Sequence, residues 1–181
     1  MDATELLTGR RSVRRFTEER VDRETLEEIV AAARFAPSWK NTQTARYTAI
    51  FDAAVKERIA SEAVLDFALN QKTIRNAPAL GLVTTVDGRS GYERDGRAST
   101  GKGSHWQSFD AGAAAQTFCL AARLRGLGTV IMGIYDEEVL RRIVPTPEGE
   151  SISAMIALGR PAETPNAPKR KEVGELLRCI G

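Results

Sequence analysis

The chain carries little with which to run chemistry of its own. Of 181 residues, two are cysteine and one is histidine. Cys119 and Cys179 lie far apart in sequence, which leaves no disulfide framework and no compact Cys/His metal cluster. Cys119 stands in an alanine-rich apolar stretch, where a buried thiol is the ordinary outcome, and so low a cysteine count fits a reducing cytoplasm. A serine–histidine–acid triad would have to use His105, and no strand–turn–helix nucleophile elbow accompanies it. There is no GxGxxG fingerprint, so the doubly wound dinucleotide apparatus is excluded. Gly96, Gly101 and Lys102 fall at P-loop spacing, but Gly103 stands where a Ser or Thr should hold magnesium, and no strand leads in. No metal site and no amino-acid catalyst is expected; the chemistry must come from a bound organic group.

Charge of one sign is also lacking. Against 24 acidic residues the chain has 26 basic ones, a net charge of +2, too small to imply a nucleic-acid surface. The opening MDATELLTGR is acidic and has no apolar h-region, unlike a signal peptide. Apolar runs break within a few residues, far short of a membrane span. A soluble cytoplasmic protein is expected.

What is present is an ordinary globular composition, 42% apolar and 28% charged, at a length suited to one domain over residues 1–181. Residues 2–8 suggest a short helix. Asp22 precedes a stretch in which Leu26, Ile29, Val30 and Ala33 share one helical face, and Pro37 ends that pattern. ARYTAIF, ALGLVTTV, GTVIMGI and SISAMIALG are strand-like. A helix is expected from about Asp52 to Leu69, another over DEEVLRRIV, and a longer one over 110–125 that is apolar on nearly all sides. The fold class is therefore α+β: a mixed, mainly antiparallel sheet flanked by helices. Two helices have more apolar face than one small sheet covers, which a homodimer would resolve. The polar, glycine-dotted stretch 87–105 is longer than an ordinary connection, and Tyr92 within it could supply an aromatic wall.

Arg10, Arg11, Arg14 and Arg15 crowd into six positions with Ser12. Guanidinium forks and a hydroxyl suit a phosphate; the same residues also suit a solvated basic face. A resemblance decides between them. RRSVRRF at 10–16, APSWKNTQT at 36–44, NAP at 76–78, the long segment from Asp110 to Ile143, ALGRP at 157–161 and PKRKEV at 168–173 resemble, in order and spacing, the FMN-dependent nitroreductase family. The resemblance implies a homodimer with FMN between its subunits. Arg10, Ser12 and Arg14 would contact the phosphate, ribityl chain and pyrimidine edge, with Arg11 contributing through its backbone. Ser38, Asn41 and Gln43 would line the ring or reach it from the partner. Asn70 would touch the isoalloxazine, and Met132 and Gly133 would bring backbone to its redox-active edge. Lys169, Arg170 and Lys171 would form a second basic arm at the phosphate. The implied reaction passes hydride from NADH or NADPH, through FMN N5, to a small-molecule acceptor such as a nitroaromatic or quinone. Dehydrogenation, reductive dehalogenation, or a non-catalytic FMN-binding dimer remain open on the same scaffold. Thr44 and Ala45 follow the Gln where the family commonly has Pro and an aromatic, and Thr73 stands where some members place a lysine.

Overall fold

The computed structural model describes residues 1–181. Strands β1 (Ala45–Ile50), β2 (Ala79–Val86), β3 (Gly128–Met132) and β4 (Glu150–Gly159) form one sheet in the order β1-β2-β4-β3. Each neighbouring pair is antiparallel. The expectation of a mixed sheet is narrowed accordingly: its parallel part is a single bridge between Ser12 and Thr129, which lays the N-terminal segment along the β3 edge.

Seven helices surround the sheet: α1 (Ala3–Gly9), α2 (Arg23–Ala33), α3 (Ala53–Arg58), α4 (Ala68–Asn76), α5 (His105–Leu124), α6 (Glu137–Ile143) and α7 (Val173–Leu176). α2 and α5 cover one face, burying Ile29, Phe118 and Ala122 against Val83, Ile156 and Leu158. α4, α6 and the turn after α3 cover the other, burying Ile59, Ile74 and Leu140 against Leu80, Leu82 and Met155. A strand covered on both faces reads as a continuous apolar run, which is why ALGLVTTV shows no alternation. Ser153 is the extra residue of a bulge: Val83 pairs with Ala154 and Thr84 with Ile152. That insertion reverses the side-chain parity of β4, so Ile152 joins Met155 rather than Ile156.

The helix expected over 52–69 is two pieces. α3 runs into a π turn, Ile59–Ala63, and Leu65 and Asp66 then adopt left-handed backbone with φ of 49° and 55°. Two such residues end the hydrogen-bond ladder, and α4 starts afresh at Ala68. α5 begins at His105, earlier than the apolar pattern indicates. Cys119 is buried, as expected, and burial pushes its thiol up. No helix is long and apolar enough to cross a membrane.

Candidate functional site

The arginine-rich segment after α1 is held as extended chain. On one side Val13 N–H donates to Thr129 O at 2.9 Å. The approach to β3 is close enough that a Cβ on Gly128 would fall 2.7 Å from the Val13 side chain, so only glycine fits there. On the other side the Asn76 carboxamide accepts from Phe16 N–H and donates to Arg14 O, both at 3.3 Å. Thr17 N–H donates to Arg160 O and Ala162 N–H to Arg15 O, at 2.9 and 3.0 Å.

With its backbone so fixed, the segment lines a cavity of about 340 Å³ with Arg10, Arg11, Ser12 and Arg14, and the tail brings Asn166 and Arg170 to the same space. None of these four arginines forms an ion pair, whereas the neighbouring Arg15 pairs with Glu163 at 3.3 Å. Four guanidinium groups sharing a concavity repel one another, and an anion among them relieves that repulsion. The donor set fits a phosphate. Of the tail cations expected here, Arg170 reaches the cavity, and Lys169 and Lys171 on either side of it do not line it.

Asn70 lies on α4, one and two-thirds turns before Asn76, a rise of about 9 Å. It is buried as a residue, and its side-chain amide makes no hydrogen bond within the protein but is not sealed from solvent. Gly133 follows β3 and nothing lies within 4 Å of where its Cβ would be, so its backbone is open to approach. The Met132 side chain is packed in the core, leaving that residue's main chain as what it can offer. Thr73 is buried and its hydroxyl donates to Leu69 O at 2.7 Å, so no cation stands at that position.

Ser38, Asn41 and Gln43 are elsewhere. Their loop carries three left-handed non-glycine residues, Lys40, Asn41 and Gln43, with φ of 45°, 55° and 51°. Such backbone costs about 1–3 kcal/mol per residue and persists where its surroundings over-determine it. They do so here. Gln43 N–H donates to Ser38 Oγ at 2.9 Å, and Trp39 N–H donates to the buried Asp110 carboxylate at 2.9 Å. Asp110 also accepts from Ser90 Oγ at 2.5 Å, and Ser90 in turn meets the hydroxyls of Thr42 and Thr44. Lys40 clamps Glu93 at 2.8 Å and holds its carboxyl below the usual carboxylate range, helped by the Ser99 hydroxyl. The stretch 87–104 is thus fastened to the Ser38–Gln43 loop. Tyr92 is half-buried, bridges Ala98 and lies against Gly103.

The two groups of residues lie at opposite ends of α5. Asp110 anchors the Ser38 loop, while Arg123 packs beside Gly9 and Arg10. At about 1.5 Å per residue that separates them by about 20 Å within one chain.

Asn76 and Asp110 hold these two segments in place, and sequence reasoning passed over both. Asn76 serves there only as a landmark before the second strand. Asp110 left one readable trace, a lone acid within an alanine-rich helix that is otherwise built for burial.

Comparison with known proteins accounts for this arrangement. The sequence model of the nitroreductase family matches residues 7–160. An NADH dehydrogenase of Thermus thermophilus is 31% identical over 189 residues, covering 90% of this chain and 88% of that protein. The crystal structure of a provisionally named nitroreductase from Desulfovibrio desulfuricans, in complex with FMN, is 27% identical with a TM-score of 0.79, covering 100% of this chain and 98% of that one. A nitroreductase family protein of Streptococcus pneumoniae shares the fold at a TM-score of 0.86 and 18% identity, covering 99% of this chain and 100% of that one. An antiparallel sheet between two helical layers, an N-terminal arginine segment laid along its edge and a family match over most of the length have one explanation: the chain belongs to the nitroreductase family.

Proposed function

We infer that residues 1–181 form a single FMN-binding domain that works as a homodimer in the cytoplasm, oxidising NADH or NADPH and reducing a nitroaromatic or quinone. The observation that carries this reading is the cavity of four arginines without a carboxylate partner. It suits one terminal phosphate, and the chain has no fingerprint for a pyrophosphate. The Desulfovibrio protein's complex with FMN and the Thermus protein's name support the cofactor and the donor. Bound FMN supplies the redox chemistry, accepting hydride from the nicotinamide and delivering it to the acceptor.

The chain's own residues bind and orient. Arg10, Arg11, Ser12, Arg14 and Arg170 hold the phosphate, with Lys169 and Lys171 adding long-range positive charge. Asn70 would offer its amide to the ring, and the backbone of Met132 and the open Gly133 would approach it. The 20 Å between the arginine cavity and the Ser38–Gln43 loop supports a shared site, in which Ser38, Asn41 and Gln43 serve the partner's cofactor. Phe109 and Leu124 on α5, 66% and 57% exposed, give a second chain apolar surface to cover.

Purification followed by acid release and mass analysis of the chromophore tests the cofactor. FMN at one per chain is expected; FAD, or no flavin after reconstitution, overturns the reading. Anaerobic reduction by each nicotinamide, then reoxidation by a panel of acceptors, tests the reaction; a bound flavin that neither nicotinamide reduces refutes it.

A further inference from the structure

The chain has two tryptophans, and they touch. The rings of Trp39 and Trp106 lie 4.7 Å apart at 43°, and Phe109 meets Trp106 edge-on at 5.7 Å. Trp39 belongs to the strained Ser38–Gln43 loop, and Trp106 opens α5 at the end of the 87–104 stretch. The pair is held from both sides. Trp39 is fixed through its backbone N–H on Asp110, and the Trp106 indole N–H donates to Thr100 Oγ1 at 2.9 Å. The Trp39 indole N–H is buried without an acceptor, so stacking on Trp106 rather than a hydrogen bond sets its ring. Lys102 Nζ lies 5.0 Å from the Trp106 ring and forms no ion pair, which leaves an uncompensated cation at the cluster. Phe109 remains exposed beside it.

A half-buried tryptophan pair edged by the exposed Phe109 and locked onto a strained loop costs backbone energy that a merely connecting loop avoids. Resting on the shared-site reading, the cluster goes wherever the Ser38–Gln43 loop goes, which is to the open side of the partner's cofactor. We propose that Trp39 and Trp106 form the face against which a planar aromatic acceptor stacks, and that this pair, rather than Tyr92, selects such acceptors over compact non-aromatic ones. The free Lys102 charge adds preference for acceptors bearing anionic oxygen.

The test uses the FMN-loaded protein with menadione as the planar acceptor and ferricyanide as the compact one. An offset aromatic contact is worth roughly 2- to 12-fold in affinity. In Trp106→Leu, kcat/KM for menadione is expected to fall by about that factor further than kcat/KM for ferricyanide, and Trp106→Phe to recover most of the difference. Trp39→Leu is the second variant should Trp106→Leu not fold. In the absence of nicotinamide, 4-nitrobenzoate should quench the tryptophan emission of the parent protein saturably. An unchanged menadione-to-ferricyanide ratio in the folded, flavin-loaded variants overturns the aromatic face and leaves the flavin reading standing. Failure of the parent protein to take up FMN overturns both.

Discussion

Replacing Arg14 and Arg15 one at a time by Ala tests the proposed cofactor contact of Arg14 against a surface charge at the adjacent position. Arg14 lines the arginine cavity without a carboxylate partner, and its backbone is fixed by Asn76. Removing a charged partner from a desolvated anionic group costs about 2–5 kcal/mol. At about 1.4 kcal/mol per decade, the Kd for FMN should rise at least 25-fold in Arg14→Ala, on the order of that energy. Arg15 instead pairs with Glu163 across side chains 68% and 49% exposed, an arrangement worth about 0–1 kcal/mol and unconnected with the cavity. Its loss should move the Kd by less than about 5-fold. Titrating each apoprotein with FMN and following the quenching of flavin fluorescence gives both constants. Melting curves recorded without flavin establish that the two variants fold. Equal dissociation constants in two folded variants would refute the assignment of the cavity to the phosphate.

Asn76→Ala should weaken FMN several-fold although Asn76 does not line the arginine cavity, because Arg14 O and Phe16 N–H lose hydrogen bonds worth about 0.5–1.5 kcal/mol each; the same titration reads it, and an unaltered Kd counts against the positioning role. Burial pushes the hydroxyls of Tyr47 and Tyr135 up to about 12, above the unfolded value near 10. Since the folded value is the higher one, their stabilisation is complete below pH 10 and is lost as pH climbs towards 12. Urea unfolding across that range should show a shallower decline in Tyr47→Phe/Tyr135→Phe than in the parent, and equal slopes would contradict the assignment. Leu124→Glu, on the exposed side of α5, should shift sedimentation towards monomer and release flavin together over a dilution series. A monomer that keeps stoichiometric FMN would remove the shared site. Phe118, 3% exposed and stacked on Tyr47 at 5.4 Å, is a poor probe of the interface because its loss opens the core of one chain.

Much of this fold could be read from the sequence where local chemistry and tertiary packing agree. α2 and α6 announce themselves through Asp22 and Asp136, whose carboxylates accept the Thr25 and Val139 N–H groups, followed by periodic apolar residues. β2 is readable because burial on both faces demands an apolar run. The break after Ala63 was not readable, because helix-forming residues continue through it up to the left-handed pair Leu65 and Asp66. The candidate site divides in the same way. Arg10 to Arg14 converge because one short segment carries them all, and a phosphate site depends on charge density that composition records. Which tail cation joins them depends on a register that only the path of the chain decides, and Arg170 is the one so placed. Tyr92 shows the limit of composition: a glycine-rich stretch with an aromatic suggests a lid, yet Tyr92 packs onto its own Gly103, and the exposed ring beside that stretch is Phe109.

The length of α5 has a genetic consequence. On the shared-site proposal each protomer would give its arginine cavity to one site and its Ser38 loop to the other, since α5 keeps them about 20 Å apart within one chain. A lesion at Arg14 and a lesion at Asp110 carried on separate chains therefore fall on the same site of a mixed dimer, and the second site inherits neither. Two inactive variants, denatured together and refolded, should regain about a quarter of the parent's sites by random pairing in a two-fold assembly. The same two lesions placed on one chain should regain nothing.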